Sequence, residues 1–108
     1  MPKKLLKPEA APSLVLERLK VWGRCIRTQR VAQQILASDL CARMGISDAT
    51  LRRLERGDPG ASAATYLGAL MILGILDFVA PMPDQHFWSD HAFARARPAS
   101  AGEEYENF

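Results

Sequence analysis

Apolar side chains along this sequence recur at spacings of three and four. Leu16, Leu19, Trp22 and then Cys25 or Ile26 form a stripe behind Ser13, a residue suited to capping. They predict a first helix running to about Arg30. Glu17, Lys20, Arg24 and Arg27 solvate its other side. After the polar pair Gln33 and Gln34, the run ASDLCARM places Leu40, Cys41 and Met44 on one face. Gly45 can end that run by adopting the left-handed backbone conformation. Ser47 offers a hydroxyl to the free amides of a third helix, Asp48 to Arg56, with Leu51 and Leu54 facing inward. Gly57 and the Asp58-Pro59-Gly60 turn stop it. Ser62 caps a fourth helix carrying Tyr66, Leu67, Leu70, Met71 and Leu73, which Gly74 ends. A short fifth helix, Leu76 to Val79 or Ala80, halts before Pro81. With no sustained period of two and no Asn-Gly hairpin, the expectation is an all-α domain over residues 13–80. A loose leader, residues 1–12, precedes it. An irregular tail, residues 81–108, follows.

A chain of 108 residues has room for one compact core, and only 7% of it is aromatic, so the core is expected to be built from Leu, Ile, Val, Met and Ala. The longest apolar stretch, residues 69–80, is interrupted by Gly74 and Asp77 and falls short of the roughly 20 residues of a membrane span. Cys25 and Cys41 lack Cys-x-x-Cys spacing and follow no secretory signal. They read as reduced core thiols of a cytoplasmic protein. The net charge of +2 hides an uneven distribution. Arg18, Lys20, Arg24, Arg27, Arg30, Arg43, Arg52, Arg53 and Arg56 face only Asp39, Asp48 and Glu55 in the central segment, whereas Glu103, Glu104 and Glu106 make the far end acidic.

The stretch DLCARMGISDATLRRLERG combines a helix, a glycine-containing turn and a second helix, which fits a helix-turn-helix unit. It resembles the Xre family of phage-repressor-type (Cro/CI) regulators through Leu40, Cys41, Met44, Gly45, Ile46, Ser47, Thr50, Leu51, Leu54, Glu55 and Gly57. The resemblance implies a five-helix, lambda-repressor-like domain that represses transcription. RRLERGDPGAS followed by TYLGALMILGILD is similar, within that family, to HipB-type antitoxins, which repress their own toxin-antitoxin operon and hold a kinase-like toxin. A stand-alone repressor or controller protein shares the same phrase.

A helix fits the major groove, where short side chains allow close approach and arginine can donate twice to guanine. Ala49, Arg52 and Arg53 are therefore the expected base readers. Ser47 and Thr50 suit phosphate or the thymine methyl, and Asp48 is an awkward neighbour unless it accepts from cytosine or an arginine. Arg27, Arg43 and Arg56 are candidates for a phosphate rim. Leu36 and Ala37 stand where the family usually has a capping hydroxyl and a phosphate-binding glutamine, which leaves the backbone amides at Ala37 and Ser38 for that contact. The family resemblance pairs Arg30 with Glu55.

One such module covers little DNA, so a homodimer on a palindromic operator is expected, with Ile72, Ile75, Leu76, Phe78 and Val79 as its apolar contact. Trp22 is expected to anchor the core. The tail aromatics Phe87, Trp88, Phe93, Tyr105 and Phe108 suggest a rival role, a protein-interaction adaptor that docks on a partner. His86, His91, Asp84 and Asp90 do not form a recognisable metal set, and no phosphate loop or nucleophile-histidine pair points to an enzyme or to a cofactor.

Overall fold

The stripe on the first segment folds as α1 (Ser13–Ala32), with Gly23 and Ile26 buried and Leu19, Trp22 and Cys25 packed at the margin of the core. The computed structural model describes residues 13–90. α1 runs past Arg30 because its end is closed by a residue in the conformation that glycine usually supplies. Gln34 takes a left-handed backbone (φ 59°), and the Gln34 and Ile35 amides turn back to the carbonyls of Val31 and Arg30 at 3.0 and 2.9 Å. Gln33 Nε2 then donates to the carbonyl of Leu73 at 2.8 Å, fastening this end of α1 to the far side of the domain.

α2 (Ala37–Met44) buries Leu40 and Cys41, and it ends at Gly45, whose φ of 69° lies in the left-handed region. Three residues, Gly45 to Ser47, lead into α3 (Asp48–Glu55), which buries Leu51 and Leu54. Arg56 closes α3, and the Asp58-Pro59-Gly60 turn follows with Asp58 Oδ1 accepting from the Gly60 amide at 2.7 Å. α4 (Ala63–Ile72) lays Tyr66, Ala69 and Leu70 on the core, with Leu73 beyond its end. These positions share one face at i, i+3, i+4 and i+7. Leu67 and Met71 lie one position further round, which leaves them exposed rather than in the core as their spacing suggested. α5 (Leu76–Val79) is a single turn whose Leu76 and Val79 pack against the core while Phe78 stands out from it.

The core thus draws on α1 to α4 together: Ile26, Leu40, Cys41, Leu51, Leu54, Tyr66, Ala69, Leu70 and Leu73. A leucine removed from water this fully contributes about 1.5–3 kcal/mol. Tyr66, 1% exposed, donates its hydroxyl to the carbonyl of Asp58 at 2.8 Å and meets the edge of Trp22 with ring centroids 5.8 Å apart. That satisfies the only polar atom the largest core side chain brings with it. Among the described residues there are five α-helices and no strand, and no helix is long and apolar enough to cross a membrane.

Candidate nucleic-acid interface

With Leu51 and Leu54 holding one side of α3 against the core, the opposite side carries Ala49, Arg52, Arg53 and, just past its end, Arg56, all exposed. Their spacing of three and four puts them on one stripe. Among the described residues, no carboxylate lies within ion-pair distance of Arg52, Arg53 or Arg56; the pairs that form involve Glu55 and Asp84. The stripe begins with a methyl group and ends in uncompensated guanidinium groups.

The N-terminus of α3 is fixed by its own hydroxyls. Ser47 Oγ accepts from the Thr50 amide at 3.1 Å and lies 3.0 Å from Thr50 Oγ1. The same device recurs at α4, where Ser62 Oγ accepts from the Thr65 amide at 3.1 Å with the two hydroxyl oxygens 2.7 Å apart. Asp48 is occupied in a way its sequence position did not suggest. Its Oδ1 accepts from Cys41 Sγ at 3.4 Å, and the same thiol reaches the Ser47 carbonyl at 3.6 Å. Burial first, and then the hydrogen bond and charge of Asp48, push the Cys41 thiol above its ordinary range. The protonated thiol is a donor at the elbow between α2 and α3.

Behind the stripe, α3 is braced on α1. Arg30 Nε donates to Glu55 Oε2 at 2.8 Å and Nη2 to Oε1 at 3.4 Å, while Nη1 donates to the carbonyl of Ile35 at 3.1 Å. Arg27 Nη1 adds a looser contact to Glu55 at 3.7 Å from a mostly exposed position. Glu55 would otherwise oppose the helix dipole, and the fork of Arg30 neutralises it where both side chains are largely shielded. Two glycines set how closely these helices approach. A Cβ on Gly23 would lie 2.6 Å from the carbonyl oxygen of Leu54 and 2.7 Å from that of Glu55. One on Gly57 would lie 2.5 Å from Lys20 Cα, at a φ of 78°.

No family model, no curated protein and no solved structure matches this chain.

At the start of α2, Leu36 provides no side-chain cap, and the amides of Asp39 and Leu40 both turn to its carbonyl. The Ala37 and Ser38 amides precede these bonds and point out of the helix end, with Ser38 exposed and Ala37 half-buried. Asp39 stands beside them in the first turn. Arg43 is exposed at the other end of α2.

Of the apolar group assigned to pairing, Ile72, Ile75, Leu76 and Val79 pack partly against the chain's own core. Phe78 is 85% exposed. In the following segment, a 3-10 turn, η1 (Gln85–Phe87), is capped by Asp84, and Trp88 Nε1 donates to the Pro83 carbonyl at 3.1 Å. Phe87 and Trp88 stay exposed. Phe93, Tyr105 and Phe108, along with His91 and the leader, lie outside the described residues.

Sequence reasoning passed over Gly23, Gln33 and the bond from Cys41 to Asp48. For Gly23 a signal was present, because a glycine in the middle of a helical stripe is costly unless a neighbouring backbone needs the space.

Proposed function

We propose that this chain is a sequence-specific DNA-binding regulator of the helix-turn-helix type, with α2, the Gly45–Ser47 turn and α3 as its unit and α3 entering the major groove. The observation that carries the reading is the exposed stripe of Ala49, Arg52, Arg53 and Arg56 on a helix whose inner face and both ends are held by the rest of the fold. Ala49 leaves room for close approach to base edges, Arg52 and Arg53 can each present paired donors to guanine, and Arg56 can pair with phosphate. The amides at Ala37 and Ser38 supply a second phosphate contact from the start of α2. Asp48 serves the elbow through Cys41. Two copies on a palindromic operator give the contact area that one module lacks.

The test uses DNA from upstream of the chain's own gene. Binding should weaken steeply with salt. Changing Arg52 and Arg53 to alanine should cost about 1–3 kcal/mol of binding free energy per arginine and relax the sequence preference, whereas Arg56→Ala should weaken binding to all sequences and flatten the salt dependence. Absence of any salt-sensitive complex with that DNA would sink the proposal.

The narrower resemblance to antitoxins adds a kinase-like toxin to this reading. It is separated from a stand-alone repressor by whether the product of the adjoining gene forms a stoichiometric complex with the purified chain.

A further inference from the structure

Along α1 two clefts meet. The first, about 540 Å³, runs between α1 and α5 and is walled by Val21, Cys25, Ile75, Phe78 and Val79. The second lies between α1 and the end of α3 and is walled by Lys20 and Arg56, with Glu17 and Glu55. Val21 and Arg24 border both, so they form one groove with an apolar half and a cationic half. Glu55 is already bound to Arg30, which leaves Lys20, Arg24 and Arg56 against Glu17 alone. Val21 and Phe78 are 54% and 85% exposed, an apolar opening in an otherwise charged face.

An occupant should therefore bring large apolar side chains together with negative charge. The chain contains such a segment, Glu103-Glu104-Tyr105-Glu106-Asn107-Phe108, with two aromatics set among three carboxylates. It is tethered favourably. Val79 lines the groove, the described chain continues from it to Asp90, and the thirteen residues from Asp90 to Glu103 can span up to about 43 Å, which compares with a longest dimension of 54 Å for the molecule. A tether of this kind supplies an effective concentration on the order of millimolar, so even weak intrinsic affinity fills the site.

We propose that residues 103–108 dock in cis in the α1 groove, Tyr105 and Phe108 in the half walled by Phe78 and Val79, and the glutamates over Lys20, Arg24 and Arg56. Arg56 belongs both to this groove and to the stripe on α3, so the docked segment also competes with DNA. That second effect rests on the DNA-binding reading; the docking does not.

Cys25 makes the groove measurable in the full-length chain. Its thiol lines the apolar half, whereas Cys41 is 6% exposed and serves as an internal reference. With the segment docked about nine-tenths of the time, Cys25 should react with iodoacetamide about tenfold more slowly than when the site is open. The full-length double variant Tyr105→Ala/Phe108→Ala, and separately the triple change of Glu103, Glu104 and Glu106 to Gln, should release that protection without altering Cys41, as followed by mass spectrometry of the two labelled peptides. Equal Cys25 rates in wild type and both variants would overturn the docking. Protection that disappears on dilution would also overturn it, assigning the groove to a second copy. The triple variant should bind upstream DNA several-fold more tightly. Unchanged DNA affinity alongside released Cys25 would refute the competition and leave the docking intact.

Discussion

Gln34 holds a left-handed backbone that a residue with a Cβ adopts only against a steric cost, and it does so because the end of α1 closes there. Replacing it by glycine should stabilise the domain by about 0.5–1 kcal/mol, the relief of that strain being partly offset by the greater freedom of glycine in the unfolded chain. Thermal unfolding should show a rise of a few degrees. Asp48 is the other residue whose role the fold redefines. If the proposed DNA-binding reading holds and this carboxylate serves the elbow, Asp48→Asn should raise affinity for DNA of any sequence, because a negative charge leaves the proposed interface. A base-reading role predicts a loss confined to particular operators. Cys41 and Tyr66 together shape the alkaline pH dependence. Burial first, and then the charge of Asp58, raise the Tyr66 hydroxyl above the ordinary value of 10.0, and Cys41 is raised above 9.0. A group that binds its proton more tightly when folded contributes stability that is whole below the unfolded pKa and is lost as pH climbs beyond it. Stability should therefore hold up to about pH 9 and decline above it, with Tyr66→Phe flattening the part of the decline above pH 10 in thermal melts.

At the scale of elements, the contact between α1 and α3 turns on atoms that are absent. Helix propensity alone predicts that Gly23→Ala would gain about 1 kcal/mol. The carbonyls of Leu54 and Glu55 stand where the new methyl would go, so the change should instead destabilise by about 1–3 kcal/mol, measured by urea unfolding. Gly57→Ala adds an unfavourable φ to the same crowding and should cost more. Helix extents and inner faces were legible in the sequence because they follow from spacing, caps and stops that act locally: Ser47, Ser62, Gly45 and Gly74 all sit at helix boundaries. What was illegible depends on pairs distant along the chain. Nothing near Gln33 announces the carbonyl of Leu73, and nothing near Asp48 marks Cys41 as its donor, since such bonds exist only after the helices have packed. The exposure of Leu67 and Met71 has the same origin, because periodicity gives a face but not its width.

At the scale of the whole molecule, Arg30 joins three parts through one side chain: α1, the turn at Ile35 and the end of α3. Arg30→Met would leave Glu55 without its principal partner in a largely shielded position, and should destabilise by about 2–4 kcal/mol in chemical denaturation. Removing both charges together, with Glu55→Gln added, should recover part of that loss, the signature of a pair rather than of two independent contributions.

The way α3 is held also bears on how such a protein could diversify. Its inner leucines, its hydroxyl cap and its link to Arg30 all lie off the stripe formed by Ala49, Arg52, Arg53 and Arg56. Those four side chains should be exchangeable with little penalty to folding, which on the proposed DNA-binding reading would make α3 a replaceable reading head on a fixed mount. A library randomised at these positions should yield mostly folded proteins, and a new target would be acquired by selection at the stripe while the scaffold stays as it is.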